Sequence, residues 1–128
     1  MIPYAHLGKQ KIEAILSYLR SHQTMANYSQ KIDAQADAHG DPRLGKQWFE
    51  QICSTCHGPE GNGYQAGGSG TAVGKQGFLR VASDGYIRET IKVGRSNTRM
   101  LPFQGPAAMA DLSDREIDDI ISYLRTLQ

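Results

Sequence analysis

Apolar residues recur at spacings of three and four along four stretches of the chain, as they do on one face of an α-helix. The first stretch runs from Gln10 to Arg20. The second begins at Asp41, an N-cap residue followed by Pro42 in the first helical position, and runs into Cys53. The predicted inward-facing residues of these two helices are Ile12, Ile15, Leu16 and Leu19, and Leu44, Trp48, Phe49 and Ile52.

Two further helices are predicted in the second half of the chain. Ser83 or Asp84 caps a helix that ends at Gly94, because Gly is favoured just past a helix end. Ser113 and Glu116 form a capping box at the start of the last helix. The buried stripes are Ile87 and Ile91 in one helix, and Ile117, Ile120, Ile121 and Leu124 in the other. No alternating strand pattern competes, so the predicted fold class is all-α.

Two segments lack helical periodicity. Residues 23–40 are polar and rich in Ala, and we predict a linker there, between an N-terminal amphipathic helix segment at 1–22 and a domain at 41–128. The stretch from Gly58 to Gly77 is rich in glycine, which predicts an irregular loop whose backbone can approach a flat ligand closely. A chain of 128 residues is long enough for one compact domain with a core, but short for two.

Composition narrows the function classes. The net charge is +1 and no Lys/Arg run is present, so we expect no nucleic-acid partner. No apolar run approaches the length of a membrane-spanning helix, and residues 1–20 lack the pattern of a signal peptide. The only two cysteines form one tight pair, which indicates metal, redox or cofactor chemistry rather than a disulfide framework.

Three interpretations compete for Cys53, Cys56 and His57, in the stretch QICSTCHGPEGNG. A structural zinc site needs four ligands, and no second Cys pair exists. A thioredoxin-like dithiol needs a preceding strand, where a helix is predicted instead. Covalent haem attachment fits better, because thiols three residues apart can form thioethers with the two vinyl groups while His57 binds the iron.

A haem iron also needs a sixth ligand or an open position. Met100, in the loop SNTRMLPFQG between Gly94 and Gly105, offers a soft, neutral thioether. Core packing is the usual role of Met, but the flanking Pro102 and Phe103 favour a ligand here. Four rival ligands are interpreted as surface or packing residues: Met109, His6, His22 and His39.

From Pro42 to Leu127 the chain resembles the class I cytochrome c family. Phe49 and Gly45 stand four and eight residues before Cys53, as in the first helix of the family. The sequence MLPF is similar to the axial-methionine loop, and IISYLRTL is similar to the closing helix. LRVASDGYIRETIKVGR also resembles the helix that precedes the methionine loop in bacterial members.

The resemblance implies short helices wrapped around one covalently attached haem c per chain, with the first and last helices crossing at Gly45 against Tyr123. Many members orient the proximal His through the carbonyl of a Pro, but residues 61–100 contain none, so we expect a carbonyl in residues 63–78 to take this role. The implied haem contacts are thioethers from Cys53 and Cys56, axial ligands His57 and Met100, and pocket residues Phe49, Pro102 and Phe103.

The resemblance also implies an electron carrier rather than an enzyme, with redox partner proteins and a periplasmic or other extracytoplasmic location. Residues 75–99 carry six cations and two anions, and residues 111–119 carry five anions and one cation, which predicts docking to an acidic partner face. Two alternatives stay open. One is a haem enzyme or gas sensor with an open iron site, and the other is an electron-relay domain of a larger oxidoreductase.

The N-terminal segment repeats the C-terminal one. Met1 and Pro3 align with Met100 and Pro102, and the helix that follows aligns with the last helix. We hypothesise that Met1–Ser21 is the tail of a preceding cytochrome c domain in a di-haem protein; the alternative is a coincidental similarity of two amphipathic helices. We expect its apolar stripe to pack on the haem domain, to form a dimer contact with another copy, or to be disordered.

Overall fold

The computed structural model describes residues 4–22 and 28–128, and every regular element in these two ranges is helical. The predictions of an all-α fold and an extra N-terminal helix are confirmed. The α-helices are α1 (Gly8–Ser21), α2 (Tyr28–Asp33), α3 (Pro42–Trp48), α4 (Ser54–His57), α5 (Gln76–Leu79), α6 (Asp84–Val93) and α7 (Asp114–Thr126). A π-helical turn, Phe49–Cys53, joins α3 to α4, and 3-10 turns lie at Ala5–Leu7 and Gly63–Ala66.

The chain divides into two compact units, Met1–Lys31 and Ile32–Gln128. The first unit contains α1, in which no residue is buried. Met1 and Pro3, which take part in the sequence repeat, lie outside the described residues. In the apolar stripe of α1, Ile15, Leu16 and Leu19 are exposed and Ile12 is half-buried.

The second unit is organised around the packing of α3 on α7. Gly45 lies so close to the backbone of Asp119 and Ile120 that a Cβ at Gly45 would overlap it. The expected contact of Gly45 with Tyr123 is wrong by one helical turn. The Tyr123 ring lies instead against Phe49, one turn further along the chain than Gly45, with 5.5 Å between ring centres.

The helix starts follow the predicted caps. Asp41 accepts from a backbone N–H, Ser83 does the same for α6, and Ser113 and Glu116 form the reciprocal capping box of α7.

Leu44 was predicted to face inward but is 42% exposed. The buried stripe of α3 runs through Gly45 and Phe49, about 100° around the helix from Leu44. The core side chains with the least exposure are Phe49, Leu79, Ile117, Ile120 and Ile121.

Residues 32–40 belong to the second unit, although the sequence predicted a linker over 23–40. Their backbone is hydrogen-bonded to α6 and α7: the Ala38 N–H donates to Asp84 Oδ2 at 2.7 Å, and the Gly40 N–H donates to Ser122 Oγ at 2.9 Å. The polar sequence of this segment conceals its attachment, because main-chain donors supply these contacts.

Candidate haem-binding site

A cavity of about 620 Å³ lies beside the π turn, the glycine-rich loop, α6 and the loop that follows α6. Its volume falls in the range of cofactor sites, and most of its wall is apolar. The predicted site residues that line it are Phe49, Cys53, Cys56, His57, Met100 and Phe103. Pro102 does not line the cavity, although the sequence placed it in the pocket.

The attachment motif begins in the π turn and ends in α4. Cys53 closes the π turn, and Cys56 and His57 lie in the next helix; π turns within helices occur frequently at functional sites. Both thiols are free, and burial raises the pKa of the Cys53 thiol to about 12, with a smaller contribution from Cys56.

The imidazole of His57 is oriented by a backbone carbonyl. His57 Nδ1 lies 2.7 Å from the carbonyl oxygen of Thr71, within the range in which the sequence predicted such a group. A carbonyl only accepts, so Nδ1–H donates in this bond and Nε2 keeps its lone pair for a metal. Gly70 makes the approach feasible, because a Cβ there would lie 2.7 Å from Nδ1. The Gly70 N–H also donates to the Cys56 carbonyl at 2.6 Å.

Met100 lies in the loop between α6 and α7. The Arg95 N–H donates to the Met100 carbonyl at 2.7 Å, and the Met100 N–H donates to Thr98 Oγ1 at 3.1 Å. Gly94 ends α6 with φ +67° and ψ −161°, and a Cβ on Gly94 would lie 2.5 Å from the Met100 carbonyl. This conformation is essentially restricted to glycine, so Gly94 is what lets the loop pack against the end of α6.

Sequence reasoning missed the polar residues of the cavity wall, among them Tyr86, Arg95 and Arg99. The Arg95 guanidinium lies 5.0 Å from the centre of the Tyr86 ring, a cation–π distance. Positive charge at an apolar cavity suits a ligand that carries carboxylates, as haem does. The cation-rich sequence of residues 75–99 signalled such charge, but not which of its members line the cavity.

The rival ligands lie elsewhere. Met109 is 68% exposed and, like His39, is not among the residues that line the cavity. His39 lines a separate polar depression of about 700 Å³ near Asp84 and Arg125. His6 and His22 belong to the first unit and are exposed.

The comparisons with known proteins agree with this architecture. A family model described as Cytochrome c matches residues 42–128. The solved structure titled KustC0563 c-type cytochrome is 26% identical, with a TM-score of 0.53, and the alignment covers 66% of this chain and 96% of that one. Cytochrome CL from the marine methylotrophic bacterium Methylophaga aminisulfidivorans MPT is 24% identical, with a TM-score of 0.51, over 89% of this chain and 65% of that one. The second likeness concerns the fold alone.

The residues present fit a covalently attached haem. Cys53 and Cys56 have the Cys-x-x-Cys-His spacing, and their thiols line the same cavity as the oriented imidazole and a thioether. The glycine-rich loop lines the cavity at Gly70, where a Cβ would overlap the His57 ring. The motif and the family match together indicate haem c and haem-based electron transfer. Since the match spans every residue that lines the cavity, this chain belongs to the cytochrome c family.

Proposed function

We propose that the chain carries single electrons by means of one haem c, which Cys53 and Cys56 would attach and whose iron His57 and Met100 would bind. When bound, haem c supplies a one-electron couple between ferric and ferrous iron. The observation that carries the proposal is that all four side chains line one cavity.

The side chains of the site have separate tasks. His57 donates from Nδ1 to the Thr71 carbonyl, which makes the ring more basic and presents Nε2 as a ligand. Met100 offers a neutral thioether, the ligand that raises the reduction potential of c-type haems. Phe49 and Phe103 add apolar wall, which excludes water and keeps the local dielectric constant low.

Cytochrome c domains are generally electron carriers, and the proposed ligand set explains why this chain would be one. With His57 and Met100 both bound, no position is left for a substrate or a gas. An electron-relay domain of a larger oxidoreductase would use the same residues in the same way. A haem enzyme or gas sensor would require the displacement of Met100.

Cytochrome c domains interact with redox partner proteins, and we propose that this chain meets an acidic partner face. Arg88 and Lys92 pair with carboxylates of α7, at 2.8 and 2.9 Å, so these two of the six cations in residues 75–99 are partly neutralised. Arg95 and Arg99 line the cavity, and we propose that their positive charge attracts the partner.

The proposed location is the periplasm or another extracytoplasmic compartment. Bacterial c-type cytochromes are typically extracytoplasmic. Among the helices of residues 4–22 and 28–128, none has the length and apolar character needed to cross a membrane.

Met100→Leu tests the ligand set, because leucine keeps the apolar volume and removes the thioether. We expect the ferric variant to lose the weak far-red absorption band of Met-bound iron and the ferrous variant to bind carbon monoxide rapidly. Intact mass should still show one haem per chain. Met109→Leu is the matched control, since the Met109 side chain is 68% exposed, and it should retain the wild-type spectrum.

The absorption spectrum and carbon monoxide binding of the wild-type protein can contradict the proposed ligand set. If the ferric protein lacks the far-red band and the ferrous protein already binds carbon monoxide rapidly, then Met100 is not a ligand and the iron site is open. That result would contradict electron transfer through a closed site and favour the enzyme or gas-sensor alternative.

A further inference from the structure

The helix α1 repeats the sequence of α7. Residues 11–21 align without a gap with residues 116–126. Helical periodicity alone makes Ile and Leu recur, but it does not place Ser, Tyr and Arg at matching positions. The identical pairs are Ile12 and Ile117, Ile15 and Ile120, Ser17 and Ser122, Tyr18 and Tyr123, Leu19 and Leu124, and Arg20 and Arg125.

The matched side chains have opposite environments. In α7 the matched apolar side chains are buried, whereas in α1 Ile15, Tyr18 and Leu19 are exposed and Ile12 is half-buried. The exposed fractions are 1% for Ile120 and 48% for Ile15, 6% for Tyr123 and 66% for Tyr18, and 3% for Leu124 and 57% for Leu19. Thus α1 has the sequence of a buried helix without the cover that such a helix has in the second unit.

The structure also shows what covers α7. The helix α3 crosses it, with Gly45 against the backbone of Asp119 and the Phe49 ring 5.5 Å from the Tyr123 ring. The matched positions on α1 carry a small residue and the same aromatic residue, Ala14 and Tyr18. Tyr18 therefore offers the same ring as Tyr123, and Ala14 leaves the backbone open to the close approach that Gly45 makes at Asp119.

The arginine of the repeat points to the same kind of partner. Arg125 donates to the buried Asp84 at 2.7 Å and to the carbonyls of Leu79 and Ala82 at 2.6 Å each. These three acceptors lie in α5, at the start of α6 and between them. Arg20, the matched residue, is exposed. A domain built like the second unit would give Arg20 a carboxylate and two carbonyls.

The α3 helix of this chain, or of a second copy, is a poor occupant. It already packs on α7, and the start of α3 is held there by a hydrogen bond from the Asp41 N–H to Asp119 Oδ1 at 2.6 Å. The residue that matches Asp119 on α1 is Ala14, which offers no acceptor. The helix that covers α1 must therefore pack without that contact.

We propose that α1 is the closing helix of a second haem domain in the same polypeptide. Its apolar face, formed by Ile12, Ile15, Tyr18 and Leu19, packs on a helix of the α3 type that lies upstream. That helix carries a glycine at the crossing point and leads into its own Cys-x-x-Cys-His motif. The proposal is independent of the ligands assigned to the haem of residues 42–128.

The first experiment uses the whole polypeptide that contains this sequence, purified from its native source. We expect an intact mass with two covalently bound haems. We also expect amide hydrogen exchange at Tyr18–Arg20 to be slower, by a factor on the order of 10² or more, than in the 128-residue chain, because these amides become part of a core. One haem per polypeptide, or equally fast exchange in both proteins, overturns the proposal.

The second experiment compares two substitutions in the whole polypeptide. Ile15→Asp puts a charge on the proposed interface and should reduce the haem content from two to one. Gln10→Asp adds the same charge at the position matched with the exposed Arg115, and both haems should remain. The 128-residue chain with Ile15→Asp should keep its single haem. If that chain does not hold haem, the result contradicts the proposed function and not the proposal about α1. A one-haem polypeptide that dimerises through α1 identifies a second copy as the occupant and overturns the proposal.

Discussion

His57 and Met100 line one cavity, yet the chain holds the two side chains in different ways. The imidazole of His57 is itself hydrogen-bonded, at 2.7 Å to the Thr71 carbonyl, and its position follows directly from α4. At Met100 the hydrogen bonds are made by the backbone and not by the side chain. The Met100 carbonyl accepts from the Arg95 N–H, and the Met100 N–H donates to Thr98 Oγ1. The first arrangement orients a ring, and the second positions a loop while the thioether retains its rotatable bonds.

This difference indicates where each side of the site is vulnerable. The Met100 side depends on a backbone conformation, so a substitution that strains the loop should be the most damaging there. The His57 side depends on contacts of the ring, so a group that displaces the ring should be the most damaging there. Each side offers a glycine at which this can be tested, Gly94 and Gly70.

Gly94→Ala should have the largest effect on stability. The new Cβ would lie 2.5 Å from the Met100 carbonyl, and alanine strongly disfavours φ +67° with ψ −161°. We expect the free energy of unfolding to fall by about 3 kcal/mol and the far-red band to weaken. Chemical unfolding followed by absorbance would measure both.

Gly67→Ala measures the cost of a positive φ without a steric contact. Gly67 also has a positive φ, +78°, but a Cβ there meets nothing within 4 Å. We expect a loss of about 1 kcal/mol and an unchanged spectrum. Equal losses for Gly67→Ala and Gly94→Ala would show that the close packing of the methionine loop contributes little.

Gly70→Ala should disturb the His57 side. The new Cβ would lie 2.7 Å from His57 Nδ1 and 3.0 Å from the Cys56 carbonyl, so the ring has to move away from Thr71. We expect a loss of about 2 kcal/mol and a shifted ferric spectrum. Gly77→Ala, with nothing within 4 Å, is the control and should change stability by less than about 1 kcal/mol. Indistinguishable spectra for the two variants would refute the oriented-ring account.

Thr98→Val should have a smaller effect, confined to the Met100 side. Valine keeps the shape of threonine but removes the acceptor of the Met100 N–H. We expect a loss of about 1 kcal/mol with a weaker far-red band. Thr71→Val is the matched control, because the backbone carbonyl of Thr71, and not its hydroxyl, accepts the hydrogen bond from His57 Nδ1. If Thr71→Val proved the more damaging variant, the hydrogen bonds would be wrongly assigned.

Acid should loosen the Met100 side slightly. Lys92 and Gln104 donate to Asp114 at 2.9 and 2.7 Å and hold the pKa of that carboxyl below its ordinary value. Because the folded pKa is the lower one, this stabilisation is complete above about pH 4 and is lost as the pH falls through the folded value. Asp114→Asn should therefore flatten the acid dependence of the thermal midpoint. An identical acid slope in both proteins would exclude a role for this carboxyl.

Much of the site could be predicted because its signals are local. Asp41, Ser83 and Ser113 cap helices through side chains that act within three residues, and such caps have characteristic sequences. The attachment motif is likewise a run of five residues. Leu44 was misassigned since two adjacent stripes of a short helix look alike, and only packing on α7 selects one.

The remaining features depend on backbone atoms, which all residues share. The Thr71 carbonyl behind His57 and the main-chain bonds of residues 32–40 therefore left no residue-specific pattern. They form only when distant segments are brought together.

The similar sequences of α1 and α7 show which properties of a helix follow from its sequence and which follow from tertiary packing. The sequence by itself determined that both segments are amphipathic helices, since spacing and caps act locally, and it determined the haem motif. Only the tertiary structure decided that Tyr123 is 6% exposed and Tyr18 is 66% exposed. Burial is a property of two surfaces, and the helix that covers one of them is α3.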